Sequence, residues 1–90
     1  MKSLFDGYTI DLIKHIYKNG FTTFRSQNIY KSFLGFYFQI KYLKEQNIIT
    51  NNGKDERNRK IWVLTDKGIK IAKLLNKIEE ILNESKSNIS

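Results

Sequence analysis

The residues best suited to chemistry form one short run, Lys54-Asp55-Glu56-Arg57-Asn58-Arg59-Lys60. None of the seven is apolar, so the run cannot pack on a core and must face solvent or a polar partner. Its guanidinium and ammonium groups suit phosphate oxygens; without a partner the run is a solvated, charged turn. A second group precedes it. Phe36, Ile40 and Leu43, spaced i, i+4, i+7, define the inward side of a helix. At about 100° per residue, Phe38, Lys41, Tyr42 and Glu45 then point outward, with Tyr37 and Lys44 on one flank. Three outward aromatics with two lysines require cover. Either nucleic acid supplies it, through sugars, thymine methyls and phosphates, or a second protein chain does.

Catalytic apparatus is missing from the pattern. There is no Gly-rich phosphate loop, no cysteine, and no acid pair with supporting residues. The single histidine, His15, falls on the polar side of a helix with no second ligand or nucleophile near it in sequence. The chain is therefore read as a binding protein rather than an enzyme, with no metal and no cofactor.

The elements that must position these groups can be taken in order. Residues 1–8 read as an N-terminal arm. Thr9 is placed to cap a first helix that stops at Gly20, with Ile10, Leu12, Ile13, Ile16 and Tyr17 as its apolar stripe. Phe21 to Phe24 fits a short extended piece, followed by a second helix capped by Thr23 or Ser26 and ending between Ile29 and Ser32. The third helix starts at Phe33 or Leu34, with Ser32 as its preferred cap, and runs to Gln46; Asn47 supplies a left-handed stop. Ile48 and Ile49 open a strand, Asn51-Asn52-Gly53 tolerates positive φ, and Lys60 to Leu64 returns as a β-branched and aromatic strand. The direction of the Trp62 indole is open at this level. In Leu64-Thr65-Asp66-Lys67-Gly68, Thr65 is placed to accept from a free backbone N–H and Asp66 lies in the first turn of the last helix.

That last helix is expected from Asp66 to about residue 83 or 84. Ile71, Leu74, Leu75, Ile78, Ile81 and Leu82 fall in one broad stripe. Its first turns can pack on their own domain. Leu74, Ile78, Ile81 and Leu82 extend beyond what so small a domain covers, which predicts a two-fold dimer built by this helix. Residues 85–90 are expected to be a polar, disordered tail.

The segment Asp55 to Lys60 followed by Leu64 to Gly68 resembles the wing and following helix start of MarR-type winged-helix transcription regulators. PadR-like and small archaeal or viral winged-helix proteins are similar over the same region. The resemblance implies an α+β winged helix-turn-helix over residues 9–65, a two-stranded wing, and a long C-terminal helix over residues 66–84 for core packing and dimerisation. It also implies that one of Arg57 or Arg59 enters a minor groove while Asp55 orients the arginine pair by a salt bridge. MarR-type proteins are longer, with further helices for dimerisation and ligand binding, so a small-molecule effector does not carry over. Any pocket for one would have to lie at the dimer interface.

Composition agrees with this reading. The chain has 90 residues, 40% of them apolar, which is enough for a single small core. Residues 14–65 hold ten Lys or Arg against three acids, a net +7 that equals the charge of the whole chain. No apolar run approaches a membrane span, no signal peptide is legible, and a cytoplasmic location is expected, whether on a nucleoid or in the host of a virus. Function is expected as sequence-specific binding of double-stranded DNA by a homodimeric transcription regulator. Ser32, Tyr37, Phe38, Lys41, Tyr42 and Lys44 would contribute from the third helix, and Lys54, Arg57, Arg59 and Lys60 from the wing. A plasmid or viral partition or replication protein would share these features, and a winged-helix module that binds protein is the alternative from another class.

Overall fold

The structure is a computed structural model that describes residues 7–89, with side chains to residue 84. It is an α+β fold ordered α1 (Gly7–Asn19), α2 (Phe33–Glu45), β1 (Ile49–Lys54), β2 (Lys60–Leu64) and α3 (Asp66–Ile89). Strands β1 and β2 form a two-stranded antiparallel sheet. Leu12, Ile13 and Ile16 of α1 meet Phe36, Ile40 and Leu43 of α2 in the core. Ile48, Ile49, Trp62 and Ala72 complete it. Among the described residues, no helix is long and apolar enough to cross a membrane.

Helix α1 begins two residues before the expected cap. Thr9 is fully buried inside the first turn, so its side chain packs inward instead of capping, and Tyr17 leaves the apolar stripe for solvent. The expected arm lies mostly outside the described residues.

The expected second helix does not form. Thr23 and Ser26 do make the reciprocal bonds of a capping box: the Ser26 N–H donates to Thr23 Oγ1 at 3.2 Å and the Thr23 N–H to Ser26 Oγ at 2.8 Å. The turn they close, at Arg25 and Ser26, is not continued, and the chain is irregular from Gln27. The cause is Gln27, which is buried and uses its whole amide on the backbone. Its Oε1 accepts from the N–H groups of Ile29 and Tyr30, and its Nε2 donates to the carbonyls of Phe24 and Tyr30, all at 2.8 to 3.0 Å. A side chain that satisfies four backbone groups removes the need for a helix ladder, and Ser26, Asn28, Ile29 and Tyr30 are weak helix formers.

The extended piece before this turn forms as expected, and it joins the hairpin. Thr22 and Trp62 exchange two backbone hydrogen bonds, at 2.8 and 2.9 Å. Trp62 thereby points into the core, which settles its direction.

Helix α2 has the expected ends. Ser32 adopts φ −96° and ψ 142°, and its Oγ accepts from the Gly35 N–H at 3.0 Å. At the other end Asn47 takes φ 61°. The Asn47 N–H donates to the Lys44 carbonyl and the Ile48 N–H to the Leu43 carbonyl, which is the Schellman pattern.

The hairpin turns later than expected. Asn51, Asn52 and Gly53 belong to β1, and Gly53, at φ 85°, accompanies a register shift between Asn51 and Lys54. The loop itself is Asp55 to Arg59, closed by Asn58 at φ 64°.

Thr65 joins the end of α2 to the start of α3. Its hydroxyl accepts from the Gly68 N–H at 3.1 Å as a cap and donates to the Asn47 carbonyl at 2.6 Å; its N–H donates to the Ile48 carbonyl at 2.9 Å. Lys67 Nζ reaches the Gln46 carbonyl at 2.9 Å. Gly68 is buried so close to this junction that a Cβ on it would lie 2.2 Å from the Ile48 carbonyl oxygen.

Helix α3 is longer than expected, continuing through the segment read as a tail to Ile89. At 1.5 Å per residue its 24 residues span about 36 Å. It packs on α1, with an ion pair between Lys14 and Glu79. Ala72 is fully buried and Ile71 and Leu75 are half-buried, whereas Leu74, Ile78, Ile81 and Leu82 are 50 to 63% exposed.

Candidate nucleic-acid interface

Two elements carry the candidate residues. On α2 the inward side is Phe36, Gln39, Ile40 and Leu43. Burial of Gln39 turns the helix so that Tyr42 is half-buried against the core, which removes it from the outward face where the spacing of Phe36, Ile40 and Leu43 had placed it. Tyr37 and Phe38 are exposed as expected, at 48% and 51%. Lys41 and Lys44 are exposed beside them. Ser32 is exposed, but its hydroxyl oxygen serves the cap. Two further exposed residues, Phe33 and Leu34, each at 62%, extend the apolar surface through the first turn. With Ser32 as cap, the i+4 relation to Tyr37 and Phe38 would have found them.

On the hairpin, Asp55 organises the loop. Its Oδ1 accepts from the N–H groups of Arg57 and Arg59, both at 2.9 Å, and its Oδ2 pairs with Arg59 Nε at 2.9 Å. The Arg59 backbone bond is the main cause that holds the Asp55 carboxyl below its ordinary pKa; desolvation, the next in size, opposes it, and the Arg59 side-chain and Arg57 backbone bonds with the Arg59 charge keep the net direction downward. The expected salt bridge to both arginines is therefore half right. Arg59 is paired through its side chain, whereas Arg57 meets Asp55 only through its backbone and, among the described residues, its guanidinium has no ion-pair partner.

Lys54 and Lys60 sit directly opposite each other across the strands. Like charges at facing positions destabilise a strand pair, and an anion placed between or beside them removes the repulsion.

The two elements enclose a groove of about 770 Å³. Phe24, Phe36, Ile40 and Trp62 contribute its apolar lining. Phe33, Tyr37, Lys41 and Lys44 line it from α2, and Arg59 and Lys60 from the hairpin. Lys44 Nζ stands 6.0 Å from the centre of the Trp62 ring, a cation over an aromatic face. Glu45 is the single acid among the lining residues. Five of the expected residues thus converge on one groove, while Phe38, Lys54 and Arg57 lie on the surface outside it. A concavity within one chain also differs from the expectation that a pocket would need a dimer interface. The signal in sequence was the aromatic run Phe33 to Phe38 facing a cationic loop, but the enclosure depends on Phe24 and Trp62, which only the Thr22 to Trp62 bridge brings to it.

Searches of protein-family models, curated proteins and solved structures find no match to this chain. The function rests on its own residues.

His15 is away from this surface, on α1. Its Nδ1 accepts from the Asn19 side-chain amide at 3.1 Å, and partial burial, followed by the nearby Lys18 charge, lowers its pKa. No group of three potential metal ligands occurs among the described residues.

Proposed function

We propose that this chain binds double-stranded DNA as a winged-helix transcription regulator, with the exposed side of α2 against the major groove and the hairpin as a wing at the adjacent minor groove. The observation that carries this reading is the uncompensated charge of the hairpin next to an exposed helix face. Lys54 opposes Lys60 and Arg57 has an unpaired guanidinium among the described residues, so a polyanion is the partner that relieves both. Arg57 suits a narrow A·T-rich minor groove, where negative potential is concentrated. Lys41, Lys44, Lys54 and Lys60 meet phosphates or base edges, and Tyr37 and Phe38 meet sugars and thymine methyls. Such a protein acts by occupying its site, in the compartment that holds the DNA.

The exposed stripe of α3 extends this reading to a homodimer. Leu74, Ile78, Ile81 and Leu82 follow helical spacing and remain uncovered in the single chain, so a second copy of α3 is their natural cover. Ile78→Lys with Ile81→Lys is expected to leave the fold intact, because both side chains are already exposed, and to convert a dimer to a monomer in sedimentation. A wild-type chain that sediments as a monomer at every concentration overturns the dimer.

The deciding experiment is selection from a pool of random duplex DNA at two salt concentrations, followed by sequencing of the retained fraction. An inverted repeat that persists at the higher salt is the expected result. Retention without sequence preference that vanishes as salt rises replaces the regulator with a coating or architectural protein.

One observation favours a second reading. Phe33, Leu34 and Phe38 are hydrocarbon surfaces, and a protein partner would cover them as well as DNA does. No retention of DNA at either salt, with binding to a partner lost in Phe38→Ala, would establish that reading.

A further inference from the structure

We infer that the groove between α2 and the hairpin receives an unpaired nucleotide, so that the chain prefers the junction of duplex and single strand to duplex alone. This rests on the DNA-binding reading and adds a substrate class to it. A base inside a duplex has both faces covered by its neighbours and offers only its edges. Edges are read most often in bidentate fashion by Arg, Asn and Gln, and the exposed side of α2 carries none of these, since Gln39 is buried; Lys41, Lys44 and Glu45 are the groups left there for edges, beside a larger area of aromatic ring.

Phe33 and Tyr37 lie with ring centroids 6.3 Å apart and planes within 23° of each other, both exposed and both lining the groove. Phe24 supports Phe33 edge-on at 5.4 Å. Rings held in this way offer π-faces that only an unstacked base can use. Lys41 and Lys44 on one side and Lys60 on the other, with Arg59 beside it held by Asp55 through Nε, are placed for the phosphates that flank such a base, and Glu45 is the single acid in the lining. An aromatic platform between two rows of cations is the combination that single strands require. The volume of about 770 Å³ admits a nucleotide.

Trp62, the only tryptophan in the chain, lines the groove and reports occupancy by its fluorescence. The test compares a blunt duplex, the same duplex with a short thymidine overhang of either polarity, the same overhang made abasic, a free thymidine single strand and 1-naphthoate as a small aromatic anion, with binding followed by anisotropy for the nucleic acids and by Trp62 emission for all. The expected result is about tenfold tighter binding of the thymidine overhang than of the blunt duplex. The abasic overhang is expected to lose that gain, Trp62 emission to change only with the thymidine overhang, and Phe33→Ala to abolish the preference. Equal affinity for blunt and overhanging duplexes overturns the inference and leaves duplex binding standing. A gain that survives in the abasic overhang assigns it to extra phosphates and also overturns the inference. Binding of single strands without any binding of blunt duplex supports the groove and removes the duplex reading. Quenching of Trp62 by 1-naphthoate, with no response to any overhang, makes the groove a small-molecule site and overturns the inference.

Discussion

Arg57→Ala combined with Arg59→Ala is expected to lower duplex affinity on the order of 10- to 100-fold at moderate salt and to reduce the salt slope by about two. The two arginines contribute by different routes. Arg57 has an exposed side chain with no ion-pair partner among the described residues, so Arg57→Ala removes one cation and leaves the loop as it is. Arg59 also holds Asp55, so Arg59→Ala removes a cation and a loop contact together. The backbone bonds from the Arg57 and Arg59 N–H groups survive both changes. Titrations at several salt concentrations separate the effects, because a lost phosphate contact alters the slope whereas a loosened loop alters the intercept. Normal affinity and slope in the double variant would remove the hairpin from the interface.

Gly68→Ala is expected to destabilise the fold by about 3 kcal/mol. Two effects oppose each other at this position. Replacing glycine by alanine inside a helix contributes roughly 1 kcal/mol of stability through propensity. The new Cβ, however, would stand 2.2 Å from the Ile48 carbonyl oxygen and 3.0 Å from Leu64 Cδ2. The first neighbour is backbone that already accepts from the Thr65 N–H, so it cannot move away without breaking that bond. Steric strain therefore outweighs propensity. In a domain whose whole stability is on the order of 5 to 13 kcal/mol, the loss is a large fraction. Urea denaturation followed by Trp62 fluorescence measures it, and a variant more stable than the wild type would show that the α3 start is not held so closely.

The same junction shows how much of the fold was legible in the chain. Ser32, Asn47 and Thr65 act at element ends through their own side chains or backbone preference, so a local reading finds them. The inward positions Phe36, Ile40 and Leu43 follow from periodicity alone. Gln27 was not legible, because its effect depends on burial and on four partners that a linear pattern does not reveal. Tyr42 was misplaced for a related reason: three apolar residues define a helix face only to within the angle that a buried polar residue, here Gln39, can add. In the candidate site the charged loop and the aromatic helix were each visible. Their enclosure of a groove was not, since it depends on a two-bond bridge between Thr22 and Trp62, forty residues apart.

The bonds of Thr65 and the close seat of Gly68 leave no compliant segment between α3 and the elements it follows. Helix α3 is therefore a rigid lever fastened at its first turn to the end of α2 and the base of the hairpin. A displacement at its far end is transmitted along about 36 Å of helix without a hinge to absorb it. Whatever grips the exposed stripe of α3 also sets the angle at which α2 and the hairpin are presented.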